Sequence, residues 1–247
     1  MQLAHGLHRL GNGLVNSYLV EDGGGITIVD AGMPGQYGDL ERELTAMGRT
    51  MADVRAIVLT HGDTDHVGYA ARLHRETGIP VYVHAADAAR ARGEIKKPSS
   101  GWGPMKPGPF LGFMAYGLRK GGLRAKPIAD VSSLDGEATL DLPGSPHVIP
   151  LPGHTPGSVA VHVPSVGAIF LGDGMTTRSV LTGEVGPRLA PFTLDPSAAL
   201  ASLDRLDGIE AEWVLPGHGD AWTGGVGAAL SEIRDAASTS PLPPARS

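Results

Sequence analysis

Side chains able to bind a metal recur in this sequence at the ends of apolar runs, most densely in Thr60-His61-Gly62-Asp63-Thr64-Asp65-His66. His61, Asp63, Asp65 and His66 follow directly behind Ala56-Ile57-Val58-Leu59. A short β-branched run reads as a buried strand, and in open α/β sheets the chemistry collects just beyond the carboxyl ends of strands. In an extended loop, residues two apart face the same way. His61 and Asp63 can therefore close on one metal, while Asp65 and His66, at the turn into the next element, address a second. The plain alternative for such a loop is a polar turn with a helix-capping Asp.

Three later segments repeat the pattern. Val148-Ile149-Pro150-Leu151 leads into Pro152-Gly153-His154, Ala168-Ile169-Phe170-Leu171 into Gly172-Asp173, and Trp213-Val214-Leu215 into Pro216-Gly217-His218. Glycine ahead of a ligand lets the chain turn sharply and approach a site that a side chain would obstruct. A strand-end turn with an incidental His or Asp would explain any one of these segments, but not their recurrence beside the first cluster. Together His61, Asp63, Asp65, His66, His154, Asp173 and His218 suit two divalent ions sharing a bridging carboxylate.

The elements that must position these groups are legible in outline. Leu14 to Val20 and Ile26 to Val29 predict a hairpin around Gly23-Gly24-Gly25. Its second strand ends in Asp30-Ala31-Gly32, where the carboxylate serves either as partner of a metal-bound histidine or as a turn former. A helix is expected from about Tyr37 to Met47 on the stripe Leu40, Leu44 and Met47. Another follows His66, carried by Val67, Ala70, Ala71 and Leu73 and stopped by Gly78-Ile79-Pro80. Val81-Tyr82-Val83 predicts a further strand closed by His84, read as a capping or core histidine ahead of a functional one. Ala228 to Ala237 reads as a last helix, and residues 238–247 as a flexible tail.

The 247 residues are 41% hydrophobic and 19% charged, an ordinary globule able to bury a large core in a single domain over residues 1–237. A formal net charge of -6 gives no long-range attraction to nucleic-acid phosphates or anionic lipid, so the expected partner is a small-molecule substrate, with neither nucleic acid nor membrane. The absence of cysteine excludes disulfides, thiolate metal sites and a cysteine nucleophile. Met1 to Leu10 lacks a basic segment followed by a long apolar core, and no later stretch is long enough to span a bilayer. A cytoplasmic protein is expected.

Residues 93–133 differ in texture. Glycine and proline crowd them, Lys96, Lys97, Lys106, Arg119, Lys120, Arg124 and Lys126 make them basic, and Trp102, Met105, Phe110, Phe113, Met114 and Tyr116 add apolar bulk. This insertion is read as a lid over the site or as a face for a homodimer, with Phe110 to Leu118 as a short helix, against ordinary packing onto the core.

The motifs, and their order along the chain, resemble the metallo-β-lactamase superfamily from about Asn16 to Gly219. The matching segments are Asn16-Ser17-Tyr18-Leu19-Val20, Ile28-Val29-Asp30-Ala31-Gly32, Leu59 through Gly68, Leu151-Pro152-Gly153-His154-Thr155-Pro156-Gly157-Ser158, Phe170-Leu171-Gly172-Asp173 and Leu215-Pro216-Gly217-His218-Gly219. The resemblance implies an α/β fold, an αββα sandwich of two similar halves with metals at one edge between the sheets. It implies that His61, Asp63 and His154 hold a first metal, that Asp65, His66 and His218 hold a second, and that Asp173 bridges them. The chain departs from the family at Asp63, which stands where the loop His-x-His-x-Asp-His usually has its second histidine. A more anionic first site should hold Mn²⁺ or Fe²⁺ relatively better, with Zn²⁺ still the first expectation.

The chemistry implied is hydrolysis. Two ions lower the pKa of a shared water so that hydroxide attacks a polarised carbonyl, and Asp65 is the candidate catalytic acid/base. Ser158 reads as a turn residue rather than a nucleophile. Arg178 is read as a surface arginine ahead of a contact for an anionic substrate group. The apolar insertion favours a carboxylic ester, lactone or thioester with a hydrophobic arm. The alternatives are a phosphodiesterase or nuclease, a di-iron redox protein and a metal-poor binding protein.

Overall fold

The computed structural model describes residues 1–95 and 104–239. Lys96, Lys97 and Trp102 of the insertion, and the tail beyond Thr239, lie outside the described residues.

The first sheet follows the order of the chain. Its strands are β1 (Gln2–Ala4), β2 (Leu7–Gly11), β3 (Asn16–Asp22) and β4 (Gly25–Val29), joined antiparallel, then β5 (Val54–Val58), β6 (Val81–His84) and β7 (Ser132–Leu134), added parallel. The parallel steps need crossovers, and helices supply them. α1 (Tyr37–Ala46) lies between β4 and β5, α2 (Ala70–Thr77) between β5 and β6, and α3 (Ala85–Ala91) and α4 (Pro107–Arg119) between β6 and β7.

The second sheet contains β8 (Ala138–Thr139), β9 (His147–Pro150), β10 (Val159–Val163) and β11 (Ala168–Gly172), antiparallel in turn. A hairpin of β12 (Thr176–Arg178) and β13 (Val185–Arg188) and the helix α5 (Pro196–Ser202) precede β14 (Trp213–Pro216), which joins β11 in parallel. α6 (Val226–Thr239) follows. β9, β11 and β14 therefore point the same way, and their carboxyl ends share one edge.

Period-two alternation divides the strand side chains into layers. Leu19, Ile28 and Ile57 join Leu40, Leu44, Ala70 and Leu73 beneath the helices of the first sheet. Tyr18, Val20, Val29 and Val58 meet Val159, Val161, Phe170 and Leu215 between the sheets. Ile169, Leu171 and Val214 pack under Leu230 and Ile233 of α6. Helices outside, two sheets inside and apolar side chains at each junction make an αββα sandwich. Because the inner strands are covered on both faces, their sequences read as apolar runs rather than as alternating ones.

Two expectations shift. The helix after His66 begins only at Ala70, because the Gly68 and Tyr69 amides donate to Gly32 and Ala31 carbonyls and are thereby held out of a helical ladder. Gly78, with φ of 74°, caps its end. Within the insertion the helix is longer than expected, Pro107–Arg119, with proline in its first turn, where a missing amide costs nothing.

Candidate metal centre

The seven ligand-type residues converge on the edge where β5, β9, β11 and β14 end. A hydrogen bond from the Val159 amide to the Thr60 carbonyl, 2.9 Å, and one from the Asn16 amide to the Gly217 carbonyl, 2.9 Å, tie the two sheets together there. Gly217 shows why a bare backbone is needed: a Cβ at that position would sit 2.5 Å from both Asp173 Oδ1 and His66 Cε1. Gly153 is similarly constrained, with φ of 144° and its would-be Cβ 2.3 Å from the Ala199 backbone.

Each histidine is held by Nδ1. His66 Nδ1 lies 2.8 Å from Asp30 Oδ2, His61 Nδ1 3.0 Å from Thr60 Oγ1, His154 Nδ1 3.3 Å from Thr193 Oγ1, and His218 Nδ1 contacts the Leu14 carbonyl. A carbonyl and a carboxylate can only accept. The Thr60 hydroxyl already donates to Asp30 Oδ2, and the Thr193 hydroxyl to the Ala190 carbonyl. All four Nδ1 atoms are thereby assigned as donors, and each Nε2 is left to face inward. Asp30, in the left-handed conformation with φ of 59°, also accepts the Thr60 amide. It orients one histidine directly and a second through Thr60.

The carboxylates occupy the space between the Nε2 atoms. Asp63 Oδ2 is 3.4 Å from His154 Nε2 and 3.8 Å from His61 Nε2, and Asp65 Oδ2 is 3.5 Å from His218 Nε2. Asp173 turns Oδ2 to His154 and Oδ1 to His66 and His218, each at 3.4 Å. His61, Asp63 and His154 form one group of mutually close donor atoms, Asp65, His66 and His218 another, and His61, His66 and Asp173 overlap both. Donors about 2.1 Å from a tetrahedral cation stand about 3.4 Å apart, so this spacing fits an ion better than a set of direct hydrogen bonds. Consistent with that, His61 Nε2, His66 Nε2 and Asp173 Oδ1 are buried without a hydrogen-bond partner.

Burial pushes His61 well below its ordinary pKa, helped by repulsion from His66 and His154. Burial acts the same way on His66, but Asp30 and Asp173 outweigh it and hold that ring well above. Burial would raise Asp173, yet His218, His66 and His154 keep it well below the usual carboxylate range. Asp173 is thereby favoured as a carboxylate between the three imidazoles.

A family model, the metallo-beta-lactamase superfamily, matches residues 10–218. The chain belongs to the metallo-β-lactamase superfamily. A probable metallo-hydrolase of Bacillus subtilis strain 168, YflN, is 27% identical over 238 residues, covering 90% of this chain and 87% of its own. The metallo-beta-lactamase family protein TTHA1429 of Thermus thermophilus shares the fold with a TM-score of 0.69 and 24% identity, over 96% of this chain and 80% of its own. TTHA1623, solved in a di-iron-bound form, is 32% identical with a TM-score of 0.60, over 92% of this chain and 97% of its own. The protein is a metallo-hydrolase of this superfamily, and its clustered His and Asp side chains are candidate metal ligands.

Beside the cluster of candidate ligands opens a cleft of about 530 Å³. Asp63, Asp65, Asp173 and His218 lie on its floor, and Met33, Phe113, Met114, Leu118, Val180 and Phe192 on its walls. Phe113, on α4, stands edge-on to the His218 ring at 6.0 Å. Phe110 is half-buried and away from the cleft lining, and Arg178 is exposed on β12. Ser158 serves its own turn, accepting the Thr155 amide. His84 caps α3, accepting the Ala86 amide at 3.3 Å. Among the described residues no helix is long and apolar enough to cross a membrane.

Two residues of α3 that reach the site have no counterpart among the residues marked by the sequence. Asp87, fully buried, accepts the Gly62 amide, the Thr155 hydroxyl and the Gly157 amide at 2.8, 2.8 and 3.0 Å. Arg90 pairs with Asp63 Oδ1 at 3.1 Å. Their available signal was position: α3 leaves the carboxyl end of β6, beside the metal-facing loop.

Proposed function

We propose that this chain is a binuclear metallo-hydrolase acting on a carboxylic ester, lactone or thioester with a hydrophobic arm. The observation that carries the reading is the cleft, which runs from the carboxylate floor onto the apolar walls of Met33, Phe113, Met114 and Leu118. His61, Asp63 and His154 would hold one ion, Asp65, His66 and His218 the other, with Asp173 shared. Bound there, two divalent cations supply Lewis-acid polarisation of a carbonyl and a water acidic enough to ionise near neutrality. Zinc is the first candidate, and manganese or iron the alternatives. Three anionic carboxylates favour the harder ions, and a 32% identical relative has a di-iron form.

The chain's own groups do the rest. Asp65 turns one oxygen toward His218, which leaves the other to accept a proton from the attacking water and return it to the leaving group. Asp30, Thr60, Thr193 and the Leu14 carbonyl hold the imidazoles in place. The apolar walls exclude water from the acyl arm and supply binding energy along its length.

Metal analysis of the purified protein, followed by a panel of chromogenic esters, lactones, thioesters and bis-phosphate esters, tests the reading. Two transition-metal ions per chain and turnover that rises with the length of the acyl arm are expected. Turnover of phosphate diesters without acyl substrates would overturn the substrate assignment, and a metal-free active protein the whole reading.

A further inference from the structure

α3 grips the metal-facing loop at two successive residues. Asp87 accepts the Gly62 amide, and one turn later Arg90 Nη1 donates to Asp63 Oδ1 at 3.1 Å. The two side chains of that pair are 8% and 9% exposed. Their approach is sterically fixed, since a Cβ at Gly62 would come within 2.9 Å of the Ala91 amide and 3.1 Å of Arg90 Cβ. The guanidinium fork is thereby held against the loop at Asp63.

The two oxygens of Asp63 face different partners. Oδ1 meets Arg90 on α3, while Oδ2 points to His154 and His61 Nε2 at 3.4 and 3.8 Å. A histidine at a metal site takes its orientation from the bond at Nδ1, as all four do here. A carboxylate has two equivalent donor atoms and rotates broadly about its last torsion, so it needs a partner on one oxygen to present the other alone.

We propose that Arg90 is a positioning residue for Asp63, and that it makes aspartate workable where the superfamily loop usually carries histidine. It reserves Oδ2 for the cation and offsets the negative charge that the aspartate adds. The inference rests on the metal centre proposed above.

Chelator-competition titration of zinc and of manganese, on the full chain, tests it. Arg90→Gln is expected to weaken the first ion by at least about tenfold, the usual cost of losing a hydrogen-bond partner behind a ligand, and to leave the ion held by Asp65, His66 and His218 unchanged. In an Asp63→His background there is no carboxylate to fix, and the same substitution should leave both affinities unchanged. Equal losses in the two backgrounds would reveal a general structural role and overturn the assignment. Should Arg90→Gln fold poorly, Arg90→Lys carries the same comparison, because an ammonium keeps the charge but not the rigid fork. A wild-type chain that takes up one ion or none defeats the two-metal reading itself. A wild-type chain with two ions, and an Arg90→Gln variant that holds both as tightly, overturns the role of Arg90 alone.

Discussion

Asp87 Oδ2 accepts the Thr155 hydroxyl at 2.8 Å, joining a helix on the first sheet to the loop that carries His154 beside the second. The same carboxylate takes the amides of Gly62 and Gly157, so one buried side chain sets the distance between the His61 and His154 segments. Asp87→Ala would leave two buried amides and a hydroxyl without that acceptor. The expected loss is about 3 kcal/mol, from hydrogen bonds to a charged group worth roughly 1.5–3 kcal/mol each and only partly additive. Denaturant unfolding of the metal-stripped protein measures it. A midpoint unchanged from wild type would show that the joint is held elsewhere.

Asp30 offers a cleaner variant. Asparagine tolerates its left-handed backbone, so Asp30→Asn changes the chemistry with little strain, whereas Asp30→Ala adds about 1–2 kcal/mol of it. The amide oxygen can still accept the Thr60 amide, but the NH2 group cannot accept from His66 Nδ1. His66 must flip its tautomer or lose its anchor, and either outcome spoils Nε2 as a donor. Affinity for the ion held with Asp65 and His218 should fall about 10- to 100-fold. Competition titration with a chelator reads this directly, and equal binding by Asp30→Asn and wild type would remove Asp30 from the site.

Asp63→His restores the imidazole usual in the superfamily. Its softer nitrogen donor should move preference away from manganese and iron and toward zinc. It also leaves Arg90 beside a neutral ring, without its carboxylate partner. Metal content after growth or refolding in equimolar zinc, manganese and iron is the measurement. Identical metal ratios in variant and wild type would mean that Asp63 does not contact the ion.

Leu118 lines the cleft yet is 61% exposed, so replacing it should cost little stability. If the acyl arm lies against α4, Leu118→Ser removes apolar contact worth roughly 1.5 kcal/mol, or about tenfold in kcat/KM. The loss should appear for long-arm substrates and vanish for acetyl esters. An equal loss across both would point to damage at the metal centre instead of a missing wall.

The seven converging side chains were legible in the sequence because each sits where a local rule holds. Apolar runs ended in His61, His154, Asp173 and His218, and the layers of the sandwich followed from the burial of Ile57, Ile169 and Val214 under helices. Strand, glycine and ligand are neighbours along the chain, so short-range pattern reports them. Asp30 could be narrowed only to a turn former or a histidine partner, since its separation from His66 is 36 residues.

What the tertiary structure decided is how those groups are held and what they face. His218 is anchored by a carbonyl 204 residues away, and His154 by Thr193 on a loop that nothing in the pattern marks. α3, Ala85–Ala91, is mostly alanine and carries no stripe of large apolar residues, so no sequence pattern marks its two working side chains, Asp87 and Arg90. They are buried because the sandwich brings the loops after β5 and β9 together over that short helix. Local pattern records which residues a strand delivers to its end; which hydrogen bonds then form depends on the distances between ends, and those exist only once both sheets have packed.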